Sequence, residues 1–82
     1  MKDTLLFLLS KIVDHPDDIS VEETQDMDKI ILTIHANPED IGKIIGKSGR
    51  IIKALRDIIK LMATKERTYV DVVLSEPDRP TA

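Results

Sequence analysis

Apolar residues recur along this chain in two rhythms, helical and alternating, and together these predict its elements. Over residues 3–14, Leu5, Leu8, Leu9 and Ile12 return at helical spacing, and Leu6, Phe7 and Val13 widen the stripe. That predicts a helix, with Asp3 or Thr4 as its cap, ending at His15-Pro16-Asp17-Asp18 because the residue before proline disfavours helical angles. The stripe is wide enough to serve a second subunit as well as a small core. Alternation follows. Ile30, Leu32, Ile34 and Ala36 share one face of a strand over 29–36, and Ile31, Thr33 and His35 share the other. A weaker strand over 19–25 carries Ile19 and Val21 and then Glu22 and Glu23, which suits an edge position. The two form an antiparallel hairpin with its turn near Asp26-Met27-Asp28, of open type because no Asn-Gly or Asp-Gly pair is present.

Helical spacing then returns. In Asn37-Pro38-Glu39-Asp40, Asn is a cap, Pro fits the first helical position, and the acids suit the positive helix end. This predicts a short helix over 38–45 with Ile41, Ile44 and Ile45 on one side. Gly46 interrupts it. A longer helix is expected from Gly49 or Arg50 to about Lys65, burying Ile51, Leu55, Ile58 and Met62 with support from Ile52 and Ile59. Lys53, Arg56 and Lys60 follow the same spacing on another side. Tyr69 to Leu74 alternates as a last strand, with Val70, Val72 and Leu74 on one face. The predicted class is α+β, in the order αββααβ, with three helices on one face of a three-stranded sheet. Residues 1–75 are expected to form one domain, and 76–82, with two prolines and little apolar content, a loose C-terminal tail.

Composition changes this picture in two places. There is no cysteine among the 82 residues, so neither a disulfide nor a thiolate metal site can support so small a core. The net charge of −3 hides a segregation. Residues 43–67 hold eight bases against two acids, a balance of +6, and the remainder holds four bases against thirteen acids, a balance of −9. A basic patch on an acidic body is the footprint of a local polyanion site. Phe7 and Tyr69 are the only aromatic residues, which argues against a platform that stacks several bases.

The patch surrounds one motif, Ile44-Ile45-Gly46-Lys47-Ser48-Gly49-Arg50-Ile51-Ile52. Two glycines let phosphates approach the main chain, and the following helix start adds N–H groups and partial positive charge. Lys43, Lys47, Arg50 and Lys53 stand around it. The same residues could be an ordinary helix–helix turn, since glycine often ends helices. A phosphate-loop NTPase is excluded, because Gly42 and Gly46 are separated by three residues and that loop needs four. Ser48 has no identifiable base, so it is not read as a nucleophile. His15 and His35 lack metal-ligand spacing, and the acids from Asp17 to Asp28 match no calcium loop. No enzymatic function, cofactor, metal or small-molecule substrate is expected. The run Leu5–Leu9 is shorter than a signal-peptide core or a membrane span, so no membrane association and a cytoplasmic location are expected.

At Ile44 to Ile52 the chain resembles the KH family of RNA-binding domains, whose mark is an apolar-Ile-Gly-x-x-Gly-x-x-Ile run. The element order resembles the type II KH arrangement from Leu5 to about Leu74. The length and the opening helix look like the small stand-alone bacterial KH proteins called KhpA. The resemblance implies a loop, Gly46, Lys47, Ser48 and Gly49, that holds the backbone of single-stranded RNA, with Arg50, Lys53 and Lys43 as further contacts. It implies an aliphatic groove floor of Ile44, Ile45 and the strand near Ile34. It also implies a homodimer, or a heterodimer with a second KH protein, and a role as RNA chaperone or post-transcriptional regulator. The rival reading is a protein-interaction module whose apolar faces assemble a partner.

Overall fold

The computed structural model describes residues 1–75; the expected tail, 76–82, lies outside the described residues. Helix α1 spans Lys2–Ser10, strand β1 Ser20–Asp26, strand β2 Lys29–His35, helix α2 Ile41–Ile45, helix α3 Arg50–Lys65 and strand β3 Tyr69–Leu74. Single turns of 3-10 helix occupy Pro16–Asp18, Pro38–Asp40 and Lys47–Gly49. The order αββααβ is the expected one.

The sheet order is β1-β2-β3. β1 and β2 pair antiparallel, with Val21 opposite Ile34 and Asp26 opposite Lys29. β2 and β3 run parallel, with Leu32 beside Val72. A parallel pair needs a crossover, and α2 and α3 supply it. β2 is therefore the central strand, and both β1 and β3 are edges. Val21 is the only buried residue of β1, as its acidic pattern foretold. Met27 makes the hairpin turn with a left-handed φ of 55°.

The core lies between one face of the sheet and the three helices. Leu5 and Leu9 of α1, Leu32 and Ile34 of β2, Ile44 of α2 and Ile59 of α3 have no exposed surface. Val70 and Val72 of β3, Leu55 and Ala63 of α3, Val21 of β1 and Val13 complete the cluster.

Three boundaries or faces differ from expectation. α1 stops at Ser10 rather than near residue 14. Lys11 and Ile12 already bond three residues back, to the Leu8 and Leu9 carbonyls, and the backbone N–H groups of Asp14 (3.1 Å) and His15 (3.0 Å) donate to the carboxylate oxygens of Asp40. A continued helix would have sent those groups to carbonyls four residues back. The first turn of the expected helix at 38–45 is 3-10. Its cap is the expected one: Asn37 Oδ1 accepts from Glu39 N–H at 2.8 Å. The buried arc of α3 is Leu55, Ile59 and Ala63, flanked by partly buried Ile52 and Met62, whereas Ile51 and Ile58 face solvent. Apolar residues cover more than half of this helix, so spacing alone could not say which flank meets the sheet.

Candidate nucleic-acid interface

The glycine loop is built from backbone angles that few residues tolerate. Gly46 ends α2 with φ 75° and ψ 176°, and its N–H donates to the Gly42 carbonyl at 2.9 Å. Those angles are essentially restricted to glycine. There is also no room for a side chain, since a Cβ on Gly46 would lie 2.6 Å from Ile51 Cγ1. Ser48 (φ 58°, ψ 25°) and Gly49 (φ 72°, ψ 17°) then turn left-handed. A Cβ on Gly49 would meet nothing within 4 Å, so this glycine borders open space. The chain thus turns from α2 into α3 within four residues and leaves Lys47 and Ser48 exposed at the tip.

No side chain caps α3, so its first-turn N–H groups have no side-chain acceptor and its positive end faces the loop. Arg50 is exposed beside it. Among the described residues, neither Lys47 nor Arg50 forms an ion pair. Lys53 reaches Asp57 only loosely, at 3.8 Å on the exposed face of α3.

From the loop, a groove of about 590 Å³ runs between α3 and β3, with Ile45, Ile52 and Leu74 as apolar lining and Arg56 and Lys60 as basic wall. Arg56 Nε donates to the Val72 carbonyl at 3.3 Å. Among the described residues β3 has no strand neighbour on that side, so the guanidinium is braced on its free edge. The one acid lining the groove among the described residues, Asp71, is held by Lys29 Nζ at 2.8 Å. The hydrogen bond and charge of Lys29 hold its carboxyl below the usual range, and the positive charges of Lys60 and Arg56 add to this. The groove is therefore cationic despite the acidic chain.

Two expected contacts are corrected. Ile44 has no exposed surface; it packs in the core and offers nothing to a ligand. Lys43 is paired with the carboxylate of Asp14, which raises its pKa above the ordinary lysine value. Successive helical residues are turned by about 100°, so with Ile45 on the groove, Lys43, two positions back, points to the opposite side. The facing strand is also β3, not β2: Ile34 is fully buried. Gly46, Lys47, Ser48, Gly49, Arg50 and Ile45 do come together, with Lys53 one turn along α3.

Behind the loop sits a polar anchor that the sequence did not disclose. Asp40, read from the sequence as an acid suited to the positive helix end, is 1% exposed. Besides the two N–H groups it accepts, its Oδ2 lies 3.1 Å from His15 Nδ1. Burial pushes its carboxyl upward, but these hydrogen bonds and the nearby His15 outweigh burial and leave the pKa lowered. The anchor fixes the start of α2, and with it the loop, against the segment after α1.

A mixed three-stranded sheet with three helices on one face, and a Gly-x-x-Gly turn joining the two crossover helices, defines a KH domain. Comparison with known proteins makes the assignment narrower. The sequence model of the KhpA/KhpB KH domain matches residues 2–74. The RNA-binding protein KhpA of Clostridium perfringens is 43% identical over 72 residues, covering 88% of this chain and 96% of its own. That of Clostridium acetobutylicum is 44% identical over 75 residues, covering 89% and 100%. That of Leifsonia xyli is 44% identical over 69 residues, covering 84% and 91%. The chain belongs to the KhpA/KhpB family of KH domains.

Proposed function

We propose that this chain binds single-stranded RNA through the Gly46–Gly49 loop and the groove beside it, as a binding protein and not an enzyme. Its relatives carry the name RNA-binding protein. The observation that carries the reading is the loop itself: an exposed lysine and serine between two positive-φ glycines, at the uncapped start of a 16-residue helix. Phosphate oxygens would take the Lys47 ammonium, the Ser48 hydroxyl and the helix N–H groups. Bases would lie against Ile45, Ile52 and Leu74, which need no aromatic partner. Contacts of this kind read backbone more than sequence, which suits an RNA chaperone or post-transcriptional regulator in the cytoplasm.

Titration of labelled protein with an oligouridylate, followed by NMR, tests this reading. Shifts should concentrate at residues 45–53 and 72–74. The Lys47→Asp/Ser48→Asp variant should keep the wild-type spectrum elsewhere and lose binding. Shifts confined to another surface would refute the reading.

A second reading stands beside it because of α3. Ile51, Ala54, Ile58 and Leu61 recur at i, i+3, i+7 and i+10 on the flank away from Arg56 and Lys60. Ile58 is 43% exposed and Leu61 73%. This is the seam spacing of paired helices, so α3 is the surface on which a second copy, or another KH domain with the same seam, would pack. The wide stripe of α1 is mostly consumed by the core, leaving Phe7 outside. Sedimentation equilibrium should give a dimer that Leu61→Lys dissociates without unfolding. A monomeric wild type at high micromolar concentration would remove this surface from consideration.

A further inference from the structure

Tyr69 lies outside everything the loop and groove use, yet it stands on their continuation. It is the only tyrosine in the chain, and it is 74% exposed at the start of β3. Below the groove a second depression, of about 260 Å³, continues between α3 and β3. Lys60 and Asp71 line both, so the two are one track. Tyr69 closes the lower end, with Lys29 beside it in the same depression. Asp71, the acid midway, is already paired with Lys29.

A KH loop clamps about four nucleotides. β3 runs from Leu74, at the loop end, to Tyr69, and five steps of about 3.3 Å make about 17 Å. The tyrosine ring therefore stands at the end of the track remote from the loop, where RNA held at the loop and continued along β3 would reach it. An exposed ring suits a nucleobase, because every base offers a face for stacking.

We propose that Tyr69 is a stacking site for a nucleobase beyond the four held by the loop and groove, so that the RNA site runs the length of β3. This rests on the RNA-binding reading above.

The test compares unlabelled U4 and U8 by calorimetry, on wild type, Tyr69→Ala, Tyr69→Phe and Lys47→Asp/Ser48→Asp. Wild type should bind U8 more tightly than U4 by more than the statistical gain of extra registers. Tyr69→Ala should weaken U8 by about five- to a hundredfold and leave U4 unchanged. Tyr69→Phe, which keeps the ring, should bind like wild type. Because no tryptophan is present, intrinsic fluorescence reports this ring alone, and U8 but not U4 should quench it. An unchanged U8 affinity in Tyr69→Ala, or equal losses for U4 and U8, overturns the stacking site while the loop reading stands. Full binding by Lys47→Asp/Ser48→Asp, or no binding of either RNA by wild type, overturns the loop reading and this extension with it.

Discussion

Replacing each loop glycine by alanine separates what holds the loop together from what the loop leaves open. At Gly46 two penalties add. Its φ of 75° and ψ of 176° lie where non-glycine residues incur about 1–3 kcal/mol of strain. The new Cβ would also lie 2.6 Å from Ile51 Cγ1 and 2.9 Å from Ile51 Cβ, so the body of the side chain, and not merely its tip, must move. Overpacking of that kind costs about 1–3 kcal/mol more. At Gly49 the left-handed angles cost an alanine about 1–2 kcal/mol, and no neighbour lies within 4 Å. Part of that is offset, because alanine restricts the unfolded chain by about 0.4–1 kcal/mol relative to glycine. The same offset applies at Gly46, so the expected losses are about 1–6 kcal/mol for Gly46→Ala and about 0–1.6 kcal/mol for Gly49→Ala. A chain this size has about 4–12 kcal/mol in total. Urea unfolding followed by circular dichroism reads the difference. With m near 1 kcal/mol/M, the midpoint should fall by about 1–3 M more for Gly46→Ala than for Gly49→Ala, the clash with Ile51 being the difference. Gly49→Ala should nonetheless weaken RNA binding, since its methyl group enters the space a phosphate would use. Equal midpoint shifts for the two variants would refute the assignment of separate roles.

Two further outcomes follow from the core and the anchor. Ile44→Ala should destabilise by about 2–5 kcal/mol in the same unfolding assay, because the side chain is fully buried; a loss under 1 kcal/mol would mean that it faces a groove after all. Asp40 has a folded-state pKa below its unfolded value, so its contribution is present above about pH 4, the unfolded aspartate range, and is lost as pH falls through the lower folded value. Asp40→Asn should lower stability at pH 7 and flatten the acid limb of a stability–pH curve, and a limb as steep as wild type would place the acid sensitivity elsewhere.

Element order, the edge character of β1 and the loop were legible in the sequence because each rests on local chemistry: alternation, a cap, a pair of glycines. The rest depended on partners distant in the chain. Asp40 looks like any acid in a first helical turn until residues 14 and 15 arrive to donate to it. Lys43 looks as available as Lys47, and only the fold brings Asp14 to it. The groove's far wall was placed on the wrong strand because alternation does not reveal that β3 lies parallel to β2 and forms the free edge. On α3, seven-residue spacing suits Ile51 and Ile58 equally for burial or for a partner, and only the position of the sheet decides. The basic flank of Arg56 and Lys60 was visible as a stripe, but its brace on the Val72 carbonyl was not.

The most direct measurement of the loop's role is the binding of a short single-stranded RNA across a salt series, wild type beside Lys47→Asp/Ser48→Asp. Binding by wild type that weakens with salt, with a log–log slope of about −0.7 per phosphate neutralised, and is lost in a variant of unchanged fold, is the predicted result. Equal binding by the two proteins would contradict it and move the RNA off the glycine loop.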